Sequence, residues 1–119
     1  MAVRWFSVVV DCDDPAALAE WWATVLGFRV VYRNEREVDI AADAASFPGL
    51  AFLRTPDRKR SKNRLHLDLN PDDQAAEVAR LLELGATRVD VGQGDGVDWV
   101  VMADPEGNEF CVLARQDGW

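Results

Sequence analysis

The chain has 119 residues, 49% of them hydrophobic, and its 13 basic and 21 acidic side chains give a formal net charge of −8. This length suits one hydrophobic core rather than two ordinary domains, so we expect a single domain over residues 1–119. The negative charge opposes binding to nucleic acid and to anionic lipid, which leaves a neutral or cationic small molecule as the expected partner. The acidity can also serve solubility alone.

The chain has no apolar run near the ~20 residues that a membrane-spanning helix needs. Residues 1–14 lack the basic start and the cleavage site of a signal peptide, so we expect a cytoplasmic protein that does not engage a membrane. The two cysteines, Cys12 and Cys111, are therefore expected to be free thiols, because disulfides are rare in reducing compartments.

The first predicted elements are a strand at "WFSVVVD" and a helix at "DDPAALAEWWATVLGF". Asp14 is a natural N-cap, Pro15 suits the first helical position, and Gly27 supplies a left-handed stop. Apolar residues at spacings of three and four form one stripe on this helix, made of Leu18, Trp21, Trp22, Val25 and Leu26. Three strand-like segments follow, namely "FRVVYR", "EVDIAA" and "LAFLR".

A basic segment, "RTPDRKRSKNR" at residues 54–64, comes next. Its cationic side chains could grip a phosphate, but its Pro, Ser and Asn content favours a solvated linker, which we place at residues 55–63.

The second half repeats the pattern, with a strand at "RLHLDLN", a helix at "NPDDQAAEVARLLELGA" and strands at "TRVDV", "DWVVMA" and "EFCVLA". This helix is expected to be capped within residues 70–73, to bury Val78, Leu81 and Leu82, and to stop at Gly85. The chain is thus βαβββ twice, with modules at about 1–54 and 64–119. Neither module alone can cover both sheet faces. We therefore predict an α+β fold in which two modules form an incomplete barrel, with helices outside and a cleft within.

Alternation along the strands predicts which side chains reach that cleft. The residues expected on the helix side are Phe6, Val8, Val10, Leu65, Leu67, Leu69, Phe110 and Val112. The residues expected in the cleft are Ser7, Val9, Asp11, His66, Asp68, Glu109, Cys111 and Leu113. His66 is the single histidine of the chain, so it and Cys111 are expected to share one cavity. "DPEGN" at 104–108 is interpreted as a structural turn.

Three segments resemble the vicinal oxygen chelate superfamily, which includes glyoxalase I, extradiol dioxygenases, and the fosfomycin and bleomycin resistance proteins. They are "DDPAALAEWWATVLGFRV", "LHLDLNPDD" and "DPEGNEFCVL", and the resemblance spans nearly the whole chain. It is strongest to the compact glyoxalase-like proteins of that superfamily, and it implies the fold predicted above. It also implies a homodimer, since an open barrel with spare tryptophans has apolar surface to cover. Trp5 and Trp119 are candidates for that covering role.

Enzymes of that superfamily hold a divalent metal through one ligand from the first strand and one from the last strand of each module. The resemblance places the four positions on Ser7, on His66, on Ala51 or Leu53, and on Cys111. A catalytic metal normally has three protein ligands, and neither serine nor an aliphatic residue supplies the third. Asp11 and Asp68 could supply it, although neither stands at a family position. We therefore expect no cofactor, with a divalent metal as the less favoured alternative, and a neutral, slowly reacting Cys111.

Three functions stay open, one of which is an interaction domain with a vestigial cleft that would bind no small molecule. In the first, the cleft binds a small organic molecule and His66 acts as acid or base in a proton transfer of the lyase or isomerase type, since histidine changes charge near neutral pH. In the second, the protein binds a drug or metabolite without turnover, as the bleomycin resistance proteins do. The expected ligand contacts are Ser7, Asp11, Asp68, Trp99 and Cys111, where Trp99 offers an aromatic surface to flat or cationic molecules. His66 could instead be a hydrogen-bonded structural residue.

Overall fold

The computed structural model describes residues 2–118 and divides the chain into two compact units between Arg58 and Lys59. Each unit has one four-stranded mixed sheet and one helix, in the order βαβββ, and neither sheet closes into a barrel. This confirms the α+β class and the internal repeat. The first unit contains β1 (Ser7–Cys12), α1 (Pro15–Leu26), β2 (Arg29–Arg33), β3 (Glu37–Ala41) and β4 (Gly49–Arg54). The second contains β5 (Asp68–Leu69), α2 (Gln74–Glu83), β6 (Thr87–Arg88), β7 (Val100–Ala103) and β8 (Glu109–Val112).

Helix α1 begins and ends where the sequence predicts. The Asp14 side chain accepts a hydrogen bond from the backbone N–H of Ala17 at 3.2 Å, and Gly27 ends the helix at φ 69°. Leu18 and Trp22 are buried, whereas Trp21 is half-buried and meets Trp22 edge to face with ring centroids 5.0 Å apart. One indole therefore lies in the core and its neighbour lies at the edge of the apolar stripe.

In the first unit, β1 runs parallel to β4, and β3 pairs antiparallel with both β4 and β2. The buried side chains of this sheet include Val38, Ile40 and Phe52, and α1 contacts β3 and β4. The prediction that Phe6 packs under the helix is wrong. Phe6 precedes β1, is 67% exposed, and stacks at a tilt on Phe47 with ring centroids 5.2 Å apart.

Helix α2 is capped by Asp73, whose carboxylate accepts a hydrogen bond from the backbone N–H of Ala76 at 3.1 Å. The chain leaves the helix at Gly85, which has φ 108°, as the sequence predicts. Val78 and Leu81 are buried as predicted, but Leu82 is 41% exposed and does not belong to the apolar stripe. The two helices have 12 and 10 residues, and within residues 2–118 no helix has the length and apolar character needed to cross a bilayer.

The strands of the second unit are shorter than the sequence indicates. The predicted strand "RLHLDLN" forms a ladder only from Leu67, whose carbonyl accepts from Cys111 N at 2.9 Å. Leu65 lies before this ladder and is 87% exposed, so the prediction that it packs against the helix is wrong. Phe110 and Val112 are buried as predicted.

The turn "DPEGN" is structural, as predicted. Asp104 is 4% exposed, and one of its carboxylate oxygens accepts from the backbone N–H groups of Glu106 and Asn108 at 2.9 and 3.0 Å. Gly107 adopts φ 89°, a left-handed conformation that favours glycine, and donates its N–H to the Asp104 carbonyl at 2.8 Å. The buried carboxylate thus stabilises the connection between β7 and β8.

Two residues of the predicted basic linker bind Glu109 of β8. The Lys59 ammonium lies 2.8 Å from one carboxylate oxygen, and the backbone N–H of Asn63 donates to the other at 2.9 Å. The Lys59 and Glu109 side chains are only 25% and 10% exposed. A fully solvated linker is therefore the wrong interpretation for Lys59 and Asn63, which anchor this segment to the sheet.

Candidate site on the second unit

The pairing of β5 with β8 creates a cluster of three reactive side chains. The two strands are parallel, and Asp68 is the direct register partner of Cys111. His66 lies two residues before Asp68, the spacing that returns a side chain to the same side of an extended chain. One donor atom each from His66, Asp68 and Cys111 lies within 4.8 Å of the others.

Asp68 lies at the centre of this cluster. Its Oδ1 is 3.2 Å from Nε2 of His66, and the two side chains are 51% and 37% exposed. A carboxylate beside an imidazole holds the ring in one orientation and favours a proton on the facing nitrogen. The pair can therefore present an oriented, solvent-accessible imidazole.

Cys111 is the buried member of the cluster, at 7% exposure. Burial raises the pKa of the Cys111 thiol, and the negative charge of Asp68 and a hydrogen bond between the two side chains raise it further, while Lys62 acts in the opposite direction. The thiol is thus neutral at physiological pH and weakly nucleophilic, in agreement with the sequence-based expectation.

The superfamily's metal positions do not carry a full ligand set in this chain. Ser7 on β1 and Ala51 and Leu53 on β4 offer no nitrogen, sulfur or carboxylate donor, as noted from the sequence. The second unit nevertheless brings three suitable donors together, because Asp68 joins His66 and Cys111. Three protein ligands with an open fourth position is the composition of a catalytic zinc site. Ligand number therefore no longer argues against a metal.

The other predicted contacts belong to other elements of the two units. Ser7 and Asp11 belong to β1 of the first unit, where Asp11 is exposed and Ser7 half-buried. Trp99 directly precedes β7 and is 40% exposed. Trp5 is 65% exposed, and its indole N–H donates to the Ser7 carbonyl at 3.1 Å. Trp119 lies outside the described residues.

Sequence reasoning missed Asp39 on β3. Its Oδ1 is buried and has no hydrogen-bond partner among residues 2–118. Burial, followed by a hydrogen bond and the negative charge of Glu37, raises the pKa of the Asp39 carboxyl to about 7. The alternation in "EVDIA" could have predicted this pairing of carboxyl groups. Val38 and Ile40 are buried on one face of the strand, and the two acidic side chains therefore share the other face.

Comparison with known proteins places the chain in a family. A sequence profile described as "Glyoxalase-like domain" matches residues 7–113, so the chain belongs to this family. A search of curated proteins gives no match.

Solved structures of the glyoxalase, bleomycin resistance and dioxygenase group share the fold. A glyoxalase/bleomycin resistance protein/dioxygenase family enzyme from Burkholderia phytofirmans PsJN is 18% identical, with a TM-score of 0.69 over 89% of this chain and 94% of that one. Glyoxalase I from Leishmania major is 15% identical, with a TM-score of 0.66 over 95% and 87% of the two chains. The bleomycin-binding protein of Streptomyces verticillus, solved with copper(II)-bleomycin, is 16% identical, with a TM-score of 0.62 over 98% and 99%.

Proposed function

We propose that this glyoxalase-like domain binds a small organic molecule, neutral or cationic, beside the His66 and Asp68 side chains, and that His66 exchanges a proton with it. The observation that carries the proposal is the exposed pair with His66 Nε2 3.2 Å from Asp68 Oδ1. A general acid or base must be reachable by the substrate, and the exposed, oriented imidazole of His66 meets this requirement.

Each member of the cluster has a distinct part in this proposal. Asp68 fixes the imidazole and stabilises the ring when it carries a second proton. Cys111 forms a neutral wall, because its thiol is buried and protonated. The reaction class is proton abstraction and return at a carbon next to a carbonyl, as in isomerases and lyases. Ser7 and Asp11 belong to the first unit and have no role in this proposal.

Hydrogen exchange tests the proposal directly. A screen of small carbonyl compounds by melting temperature selects ligands, because binding to the native state stabilises it. Exchange of their carbon-bound hydrogen with D₂O is then followed by NMR. We expect His66→Gln to slow protein-dependent exchange by about 100-fold or more with ligand affinity within a few fold, and Asp68→Asn to slow it less. Asp72→Asn, an exposed acidic position of the same unit, serves as the control and should leave exchange unchanged.

The proposal fails if His66→Gln exchanges hydrogen as fast as the unmodified protein. Binding without any exchange would instead support sequestration, the second candidate. That candidate is favoured by the fold shared with a bleomycin-binding protein and by the exposed Trp99 indole. It predicts that a cationic aromatic compound binds without being chemically converted, and that Trp99→Ala weakens this binding by about tenfold or more.

We also propose a homodimer. Exposed apolar side chains cluster in sequence around the start of β1, where Val3, Trp5 and Phe6 are each at least 65% exposed. Covering such surface favours self-association. Light scattering across micromolar concentrations tests this, and a monomer mass would contradict it.

A further inference from the structure

We propose that the second unit alone binds one divalent ion of the zinc class through His66, Asp68 and Cys111, leaving one coordination position open. The observation is the mutual approach of an imidazole nitrogen, a carboxylate oxygen and a thiol sulfur to within 4.8 Å. Because all three lie in the unit that begins at Lys59, the site needs no ligand from the first unit.

The distances suit a site that tightens around its ion. A tetrahedral zinc ion with ligand bonds of about 2.0–2.3 Å places its donor atoms about 3.3–3.8 Å apart. Nε2 of His66 and Oδ1 of Asp68 are already 3.2 Å apart, so the most distant pair of donors must approach by at most about 1 Å. Cys111 is held by the β8 ladder and by burial, whereas the His66 and Asp68 side chains are 37% and 51% exposed and have solvent on one side into which to adjust. The thiol is the fixed donor, and the other two close on the ion.

The donor types select the ion. A sulfur and an imidazole donor favour zinc or cobalt, whereas magnesium and calcium require oxygen ligands. Cys111 binds as the thiolate and releases its proton to solvent, so the S–H bond breaks as the S–metal bond forms. One thiolate and one carboxylate then balance the two positive charges of the ion, which permits it to lie against the buried strand.

The first unit shows that this cluster is not a consequence of the repeat. There β1 pairs parallel with β4, and Val9 and Ala51 are register partners in the same way as Asp68 and Cys111. Neither Val9 nor Ala51 can bind a metal. The proposed site thus differs from the superfamily's set, which draws one pair of ligands from each module.

This inference does not rest on the proposed proton exchange. An ion bound to the imidazole nitrogen that faces Asp68 replaces the proton there, and its positive charge opposes protonation of the other ring nitrogen, which is the one left to exchange a proton. The loaded protein should therefore lose His66-dependent exchange, and the metal-free protein should regain it. Metal binding is measured without any organic molecule, so failure of one proposal leaves the other intact.

Cobalt substitution tests the site in the full chain. Metal-free protein is titrated with Co²⁺ and monitored for a near-ultraviolet thiolate-to-cobalt charge-transfer band and for the intense visible bands of tetrahedral cobalt. We expect saturation at one equivalent, displacement by Zn²⁺, and no displacement by Mg²⁺. Cys111→Ser should remove the charge-transfer band, and His66→Gln and Asp68→Asn should each weaken affinity by at least about tenfold.

Cys12→Ser is the matched control, since Cys12 is the other buried cysteine outside any disulfide and lies in the first unit. It should keep both the band and the stoichiometry. A second readout uses the unmodified protein, in which one equivalent of Zn²⁺ should protect Cys111 but not Cys12 from iodoacetamide under partly denaturing conditions, as mapped by mass spectrometry. Absence of a charge-transfer band, its survival in Cys111→Ser, or equal alkylation of Cys111 with and without Zn²⁺ would each overturn the proposal.

Discussion

The two units share one topology but are stabilised differently. In the first unit the strands have five or six residues, whereas in the second they have two to four. Short ladders leave many backbone groups that must find other partners, because unpaired buried backbone is costly. The second unit supplies those partners from side chains. Gln74 donates to the carbonyls of Asp98 and Val112, and Asn70 exchanges two hydrogen bonds with the backbone of Gln116.

The two units also differ in the side chains that they place at corresponding strand positions. Val9 and Ala51 occupy the row of the first unit that corresponds to Asp68 and Cys111 in the second. The first unit has apolar side chains in this row, an exposed Val9 and a buried Ala51, whereas the second places ionisable groups there. A repeated backbone can therefore carry a polar cluster in one copy alone, provided that its side chains hydrogen-bond one another.

The largest expected effect concerns the core of the first unit. Phe52 is completely buried, so Phe52→Ala should lower the free energy of unfolding by about 3–5 kcal/mol through lost burial and a cavity. Phe47, at 60% exposure, provides the control, and Phe47→Ala should cost less than about 1.5 kcal/mol, mainly its contact with Phe6. Urea denaturation of both variants measures the difference, and similar losses would contradict a core centred on Phe52.

The next effect concerns the side-chain hydrogen bonds of the second unit. Asp104→Ala removes a buried acceptor and leaves the N–H groups of Glu106 and Asn108 without it, so we expect a loss of about 2–3 kcal/mol. Asp95→Ala, at an exposed loop position, should change stability by less than about 0.5 kcal/mol. If chemical denaturation shows equal stability for the two variants, side chains do not support this unit as argued.

The neighbouring residues Lys59 and Arg58 form two ion pairs that differ in exposure, so their substitution compares a largely buried pair with an exposed one. Lys59→Met removes the cation beside the Glu109 carboxylate, which is only 10% exposed. The free energy of unfolding should therefore fall by about 1–2 kcal/mol at pH 7. Arg58→Met breaks a 2.8 Å pair with Asp13 whose side chains are 69% and 65% exposed, and it should cost at most about 0.5 kcal/mol.

The Lys59 effect should depend on pH in a defined direction. Burial acts to raise the pKa of Glu109, but bonds from Lys59 and Asn63 outweigh it and leave the pKa below the usual 4.5. The stability that the pair contributes is thus present above pH 4.5 and is lost as the pH falls through the lowered value. Denaturation of Lys59→Met and the unmodified protein at pH 7 and pH 3 measures this, and a gap that widens on acidification would refute the ion pair's role.

The smallest expected effect concerns Asp39 in the first unit. Its carboxyl has a pKa of about 7 in the folded protein and 3.8 as the ordinary value, so the folded state binds more protons between these limits. Stability should therefore fall as the pH rises from 4 to 7. Asp39→Asn removes this penalty and should raise stability at pH 8 by on the order of 1 kcal/mol, or about 3–6 °C in Tm, after allowance for solvent screening.

The same substitution should have a smaller effect at pH 4, where the carboxyl is protonated in the folded state and about half protonated in the unfolded state. Thermal unfolding at the two pH values provides the measurement. A Tm gain at pH 4 equal to that at pH 8 would show that burial of the charge is not the cause.

Interactions between residues close together in the sequence were sufficient to predict much of the fold. The caps at Asp14 and Asp73 and the left-handed stop at Gly27 depend on hydrogen bonds within one turn, so the residues themselves predict them. The βαβββ repeat follows from periodicity, which reflects the geometry of helix and strand rather than distant contacts. The strand predictions near Phe6 and Leu65 failed because alternation applies only within a formed ladder, and ladder ends depend on partners far along the chain.

The sequence by itself determined the family, the two modules and the candidate roles of His66 and Cys111, because each depends on residue identity and short-range spacing. Tertiary structure decided that Asp68 and Cys111 are neighbours, since the parallel register of β5 and β8 joins segments more than 40 residues apart. It also decided that Lys59 and Asn63 bind Glu109, and that Asp39 loses much of its hydration. Charge and metal affinity depend on distances between groups, and those distances are set when the strands pair.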